Sequence, residues 1–144
     1  MIIAIASDHG GYSLKETVRK YLAARKDLNV VDLGTDSEES VDYPIYGKAC
    51  AEVVASGKAD RGIVICGTGI GISIAANKVK GIRCGLCTST EMAELTRKHN
   101  NANMLAMGGR TTNPELAQEI TKVFLDTEFE GGRHKRRVDM LDEM

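Results

Sequence analysis

Cys66 stands at the end of an apolar run and is followed at once by a glycine-rich turn. The stretch Gly62–Lys78 reads GIVICGTGIGISIAANK, with Thr68 and Ile70 between Gly67, Gly69 and Gly71. Ile63–Cys66 has the pattern of a buried strand, the glycines that of a tight turn, and Ile72–Lys78 that of a helix start. Such a turn brings backbone N–H groups and the positive end of a helix dipole to the sulfur. That setting favours a thiolate and suits an oxyanion forming beside it. One segment thus offers a base or nucleophile together with an anion hole. The competing reading is a buried cysteine before a turn, and the position at a strand's end favours the functional one.

Three better-known chemistries fail on the same residues. A dinucleotide fingerprint needs its third glycine where Ile72 stands, and an acidic residue closing the next strand, where Cys87 and Thr88 stand. A Walker loop needs Gly-Lys-Ser/Thr, which does not follow. A cysteine-dependent phosphatase needs an arginine at the sixth position after the cysteine, again Ile72.

Other candidate groups flank further strands or helices. Ser7-Asp8-His9-Gly10-Gly11 ends the first apolar run, so it lies on the same sheet edge as Cys66. Asp8 and His9 are suited to moving protons or holding hydroxyls, or Asp8 simply caps a helix. His99-Asn100-Asn101-Ala102-Asn103 closes a helix, where a capping role is the plain alternative. Arg133-His134-Lys135-Arg136-Arg137 is the only dense basic run. In a helix, Arg133 and Arg137 stack one turn apart, and two parallel guanidinium forks match a phosphate dianion. With Arg110 they point to a small phosphorylated ligand.

The elements that must position these groups alternate. Strands are expected at Ile2–Ala6, Val30–Leu33, Ile63–Cys66, Ile82–Leu86 and Met104–Met107. Helices are expected around Leu14–Leu22, from Tyr43-Pro44 to about Ser56, to about Lys78, over Ser89–Lys98, and after Asn113-Pro114. This predicts an α/β fold, a Rossmann-like three-layer αβα sandwich on a five-stranded parallel sheet. Ligands of such sheets bind at the C-terminal strand edge. Residues 1–144 read as a single domain, with 128–144 as a C-terminal phosphate-binding tail or helix.

Composition narrows the class. A formal charge of −1 gives no overall pull toward nucleic acid or membrane. No apolar run approaches the roughly 18 residues of a membrane span, and the N-terminus reads as a strand and not a signal peptide. A soluble, cytoplasmic protein is expected. The four cysteines show no disulfide or zinc spacing. Cys84 and Cys87, three apart in a strand-like run, should point to opposite faces as small buried residues.

Taken together, SDHGG near the start, DYP at 42–44, CGTGIGISIAANK at 66–78, HNxAN at 99–103, GGR at 108–110 and EGGRHKRRV at 130–138 resemble the ribose-5-phosphate isomerase B family. The wider family includes subunits of galactose-6-phosphate isomerase. The paired tail arginines are those of the ribose-phosphate branch. The resemblance implies interconversion of ribose 5-phosphate and ribulose 5-phosphate without metal or cofactor. It makes Cys66 the base acting between C1 and C2. His99 becomes the proton donor for ring opening, helped by Asp8, with Thr68 either assisting or only binding. The amides of Gly67, Thr68, Gly69, Ile70 and Gly71 would hold the enediolate oxygen, and Asn100 and Tyr43 the sugar hydroxyls. His9, Arg110, Arg133 and Arg137 would take the phosphate. Some relatives carry serine at the Cys66 position and a glutamate base nine residues later, where this chain has Ala75.

Two alternatives stay open: isomerisation of a six-carbon sugar phosphate (allose 6-phosphate or galactose 6-phosphate), and a non-catalytic sugar-phosphate-binding module. A sugar phosphate is the expected small-molecule partner, with neither nucleic acid nor membrane. Topology adds one expectation. Cys66 follows its strand, whereas His99 precedes the fifth, so they lie at opposite sheet edges about 17 Å apart. A homodimer with shared active sites would unite them, with a tetramer as a dimer of dimers left open.

Overall fold

A computed structural model describes residues 1–144. The strands are β1 Ile2–Ser7, β2 Asn29–Asp32, β3 Arg61–Cys66, β4 Cys84–Leu86 and β5 Met104–Gly108. The helices are α1 Tyr12–Ala24, α2 Tyr43–Ala55, α3 Ile70–Asn77, α4 Thr90–Asn100, α5 Pro114–Asp126 and α6 Arg133–Asp142, with a short 3-10 turn over His9–Gly11. All strand pairs are parallel, in the order β2-β1-β3-β5-β4. The expected fold class is present.

Each central strand is apolar on both faces, as a sheet covered twice requires. Ile3, Ile5, Ile63, Ile65, Leu105 and Met107 pack against α1, α4 and α5, with Phe124 and Ile120 among the buried partners. Ala4, Ala6, Val64, Cys66, Met104 and Ala106 face α2 and α3, through Cys50, Ala51, Ile72 and Ala76. Burial of each large aliphatic or aromatic side chain contributes about 1.5–3 kcal/mol. Cys84 joins the second cluster and Cys87 the first, so the two thiols take opposite faces as expected.

The fourth strand is shorter than its apolar run. The Asn103 side chain accepts from Arg83 N–H at 2.8 Å and donates to Gly81 O at 2.9 Å, which takes the entry to β4 out of the regular ladder. On the other edge, Lys15 is fully buried and reaches both Asp32 oxygens at 2.8 Å, tying β2 to α1.

Register separates two groups of residues. Gly62 pairs with Met104 and Cys66 with Gly108, so the segment before β5 meets the start of β3 and the segment after β5 meets its end. Four residue steps between those ends span about 13 Å. The C-terminal edge carries the loops after β1, β3 and β5. The N-terminal edge carries the end of α4, against which α6 packs.

Arg97 anchors that second edge. Its guanidinium is buried and donates to Thr127 O at 3.0 Å, Asn101 Oδ1 at 2.9 Å and Ala102 O at 2.7 Å. No carboxylate pairs with it, and burial, with Arg61 and Arg83 nearby, pulls it down to about 10. Arg97→Ala removes three charge-assisted bonds and strands buried carbonyls. A loss of about 2–4 kcal/mol in unfolding free energy is expected from denaturant titration; an unchanged midpoint would show that the end of α4 holds without it.

Candidate active site

The Cys66 loop is built by backbone geometry. β3 ends at Cys66, Gly69 adopts φ +79° as N-cap of α3, and the helix begins at Ile70. A side chain at Gly69 would be strained by that φ, and its Cβ would come within 2.7 Å of the Met107 carbonyl carbon. The turn is tight enough that Gly69 N–H donates to Cys66 Sγ at 3.2 Å. By contrast, Cys50 and Cys87 donate their thiols to carbonyls. Burial pushes both up to about 12, and Cys84 is pushed up by the same cause. Those three are inert packing residues. Cys66, itself buried at 5% exposed, is the one cysteine whose sulfur accepts a backbone N–H, at the C-terminal edge of the sheet. The Gly67 and Thr68 N–H groups donate to nothing within the protein, leaving them for an oxyanion.

The loops after β1 and β5 close around this turn. Asp8 N–H donates to Ile65 O, and Gly109 and Arg110 N–H donate to Cys66 O and Gly67 O at 2.7 and 2.9 Å. Asp8 Oδ1 accepts from Gly11 N–H at 3.0 Å, so Asp8 caps the 3-10 turn, with its second oxygen unpaired within the protein. His9 Nδ1 accepts from Val41 N–H at 3.1 Å, which leaves Nε2 as the nitrogen able to donate. The Arg110 guanidinium lies on bare backbone. A methyl added at Gly67 would come within 2.8 Å of its Nη1, and one at Gly10 within 3.3 Å of its Nη2. The Tyr43 ring covers Gly71 in the same way, 2.7 Å from where a Cβ would stand. Asp8, His9, Tyr43, Arg110 and the run Cys66–Gly71 therefore converge. They lie at the ends of the neighbouring strands β1 and β3, whose following connections lead to opposite sides of the sheet, the usual ligand position in open α/β folds.

His99, Asn100, Arg133 and Arg137 are not there. His99 and Asn100 occupy the last turn of α4, ended by Asn101 in the left-handed region at φ 47°. Arg133 and Arg137 are exposed on α6, which packs on α4. These four form a second group at the N-terminal edge, as topology predicts for His99. Two neighbours in that group were not singled out by the sequence. The His134 ring stacks on His99 with centroids 4.4 Å apart, and Glu130 Oε1 lies 3.8 Å from His99 Nε2 and 3.9 Å from His134 Nε2. Desolvation, with His99 and Arg133 beside it, pulls His134 below the ordinary histidine value. The i, i+4 spacing of Glu130 and His134 was a readable signal; their meeting with His99 was not.

Neither group forms an enclosed cleft by itself. A cavity of about 430 Å³ opens near Asn100, between α3, α4 and the end of α6, and a second, about 530 Å³, lies between α1 and β2. No cavity in the chain is lined by Cys66, Asp8, His9 or Arg110.

Comparison with known proteins identifies the family. The family model described as Ribose/Galactose Isomerase matches residues 3–141. The chain is 47% identical to ribose-5-phosphate isomerase B of Escherichia coli, over 96% of this chain and 93% of that one. It is 44% identical to D-erythrulose-4-phosphate isomerase of Pectobacterium atrosepticum, over 96% and 91%. Among solved structures, ribose-5-phosphate isomerase B of Clostridium thermocellum superposes with a TM-score of 0.97 at 53% identity, covering 99% of this chain and 96% of that one. The enzyme of Mycoplasma genitalium with bound ribulose 5-phosphate superposes with a TM-score of 0.94 at 42% identity, covering 99% and 94%. With motifs, fold and near full-length similarity in agreement, the chain belongs to the ribose/galactose isomerase family.

Proposed function

We propose that the chain interconverts ribose 5-phosphate and ribulose 5-phosphate, with Cys66 as the base. The observation that carries this reading is the Cys66 turn: an accepting sulfur beside two unpartnered amides, flanked by Asp8, His9 and Arg110. His99 delivers a proton to the ring oxygen as the furanose opens, and Asp8 holds or accepts from a sugar hydroxyl. The Cys66 thiolate then takes the C2 proton of the open-chain aldose. The electron pair moves into the C1–C2 bond, and the carbonyl oxygen at C1 becomes the enediolate oxygen facing the Gly67–Gly71 amides. The O2 hydroxyl proton passes to O1 as the thiol returns its proton to C1, leaving a hydroxyl at C1 and the carbonyl at C2. Deprotonation beside a carbonyl needs no metal when the base and the oxyanion donors are both in place. Arg110, Arg133, Arg137 and His9 hold the phosphate far from the reacting carbons, so remote binding energy orients the sugar.

The same reading requires two chains per site. The Cys66 group and the His99 group stand on edges about 13 Å apart in one chain. Beside it, Ile45, Ile70 and Ile74 on α2 and α3 are 63%, 53% and 56% exposed, a patch suited to a second copy. A two-fold partner laying its α4–α6 edge over the Cys66 turn completes two equivalent sites.

Chain length of the substrate is the open variable, since one relative is named for a four-carbon sugar phosphate. A coupled assay across four-, five- and six-carbon aldose and ketose phosphates decides it, and the highest kcat/KM is expected for the five-carbon pair.

Cys66→Ala should lower turnover by at least ~10³-fold while sparing sugar-phosphate binding, the usual cost of removing an essential base. A variant retaining a tenth of the turnover would remove Cys66 from the mechanism. Arg137→Ala should weaken substrate binding by roughly 1.5–3 kcal/mol, with inhibition by inorganic phosphate weakened in parallel; unchanged phosphate inhibition would place the phosphate elsewhere. Shared sites are tested by refolding Cys66→Ala and His99→Asn chains together. About half the dimers should be hybrids with one intact site each, restoring roughly a quarter of wild-type activity. Hybrids confirmed by mass but inactive would refute the sharing.

A further inference from the structure

Glu130 and His134 have no role in the proposed reaction, yet with His99 they make up the donor set of a transition-metal site. We propose that these three side chains bind a zinc ion or a similar late first-row divalent cation, and that the ion inhibits the enzyme by occupying His99.

The ligand atoms are close together but not yet aimed at a common point. The ligand atoms all lie within 4.8 Å of one another, with Glu130 Oε1 3.8 Å and 3.9 Å from the two Nε2 atoms. Zinc–nitrogen and zinc–oxygen bonds of about 2.0–2.2 Å in a tetrahedron set ligand atoms about 3.4 Å apart. Each of those two contacts must therefore shorten by roughly half an ångström. The imidazoles stand face to face at an interplanar angle of 18°, so each also tilts to aim its lone pair at a shared ion. In the single chain the His99 and Glu130 side chains are 42% and 46% exposed and His134 14%, so most of the movement falls to His99 and Glu130.

The backbones beneath are already held. Glu130 N–H donates to Lys98 O at 3.2 Å, fixing the tail against the turn that carries His99. Arg97 Nε bonds Thr127 O just before it. His134 N–H donates to Gly131 O at 3.1 Å, and His134 sits in the first turn of α6, which packs on α4. The ligands thus come from two helices and the loop between α5 and α6, and folding brings them together.

Two imidazoles and one carboxylate suit zinc and its neighbours, whereas magnesium and calcium prefer oxygen-only shells. Three protein ligands leave a fourth position to water. Arg133 on the same helix opposes a cation, which makes the site a modest one. The inhibitory half of the proposal rests on the isomerase reading above: once Nε2 of His99 ligates an ion, it has no proton to give to a sugar ring oxygen.

The test separates the two halves. Zinc uptake is first measured against a chromophoric chelator in the Cys66→Ala chain, so that no thiolate at the other half-site contributes. One zinc per chain is expected, with magnesium not competing. Adding Glu130→Gln or His134→Gln should weaken binding at least ~10-fold, since even indirect partners of a ligand cost that much. No uptake, or equal affinity in all three chains, overturns the site whatever the enzyme's activity. In otherwise wild-type enzyme, zinc should then lower turnover reversibly with chelation. His134→Gln should require at least ~10-fold more zinc for the same inhibition. Binding without inhibition would refute the block on His99 and leave the isomerase reading untouched.

Discussion

Every functional group in this chain is assigned to one of two places by the polarity of its sheet. All five strands run the same way, so a residue following a strand and a residue preceding one cannot share an edge. Asp8, His9, Cys66 and Arg110 follow strands. His99 and Asn100 precede one, and the tail helix packs with them. No side-chain rotation bridges about 13 Å of strand. On the proposed reading Cys66 and His99 are the two halves of an acid–base pair that this topology separates, and the exposed isoleucines beside the Cys66 turn would suit a second copy.

Close packing at the Cys66 edge serves the same end. The turn after β3, the turn after β1 and the turn after β5 are joined through backbone donors and acceptors, with Gly109 and Arg110 bonded to Cys66 and Gly67. Where side chains would stand, there are glycines, and the Arg110 guanidinium and Tyr43 ring fill that space. Charged and aromatic groups are thereby laid flat against the amides that a sugar phosphate would meet. The three turns are thereby cross-linked through their backbones.

At the opposite edge rigidity comes from side chains. Arg97 binds the end of α4 to the segment leading into the tail, and Arg83 reaches Asn101 O at 3.0 Å and Asp142 at 2.7 Å. Those contacts keep α6 on α4 and set His134 over His99. Buried guanidiniums bonded to carbonyls hold irregular backbone well, because one planar group satisfies several acceptors at once.

The alternation of apolar runs and helical patterns was legible from the chain, because strand and helix periodicities depend on neighbouring residues. So were the cap at Asn113 with Pro114 behind it, the strand–turn–helix around Cys66 and the opposite-facing Cys84 and Cys87. The motifs carried the family as well, and even the separation of His99 from Cys66 follows from strand order alone. The shortening of β4 was not legible, since it depends on the Asn103 side chain reaching Arg83 and Gly81 across 20 and 22 residues. Nor was the burial of Arg97 or the stacking of His134 on His99. Those depend on how helices distant in sequence pack on one another, which only the assembled sheet and its helix layers decide.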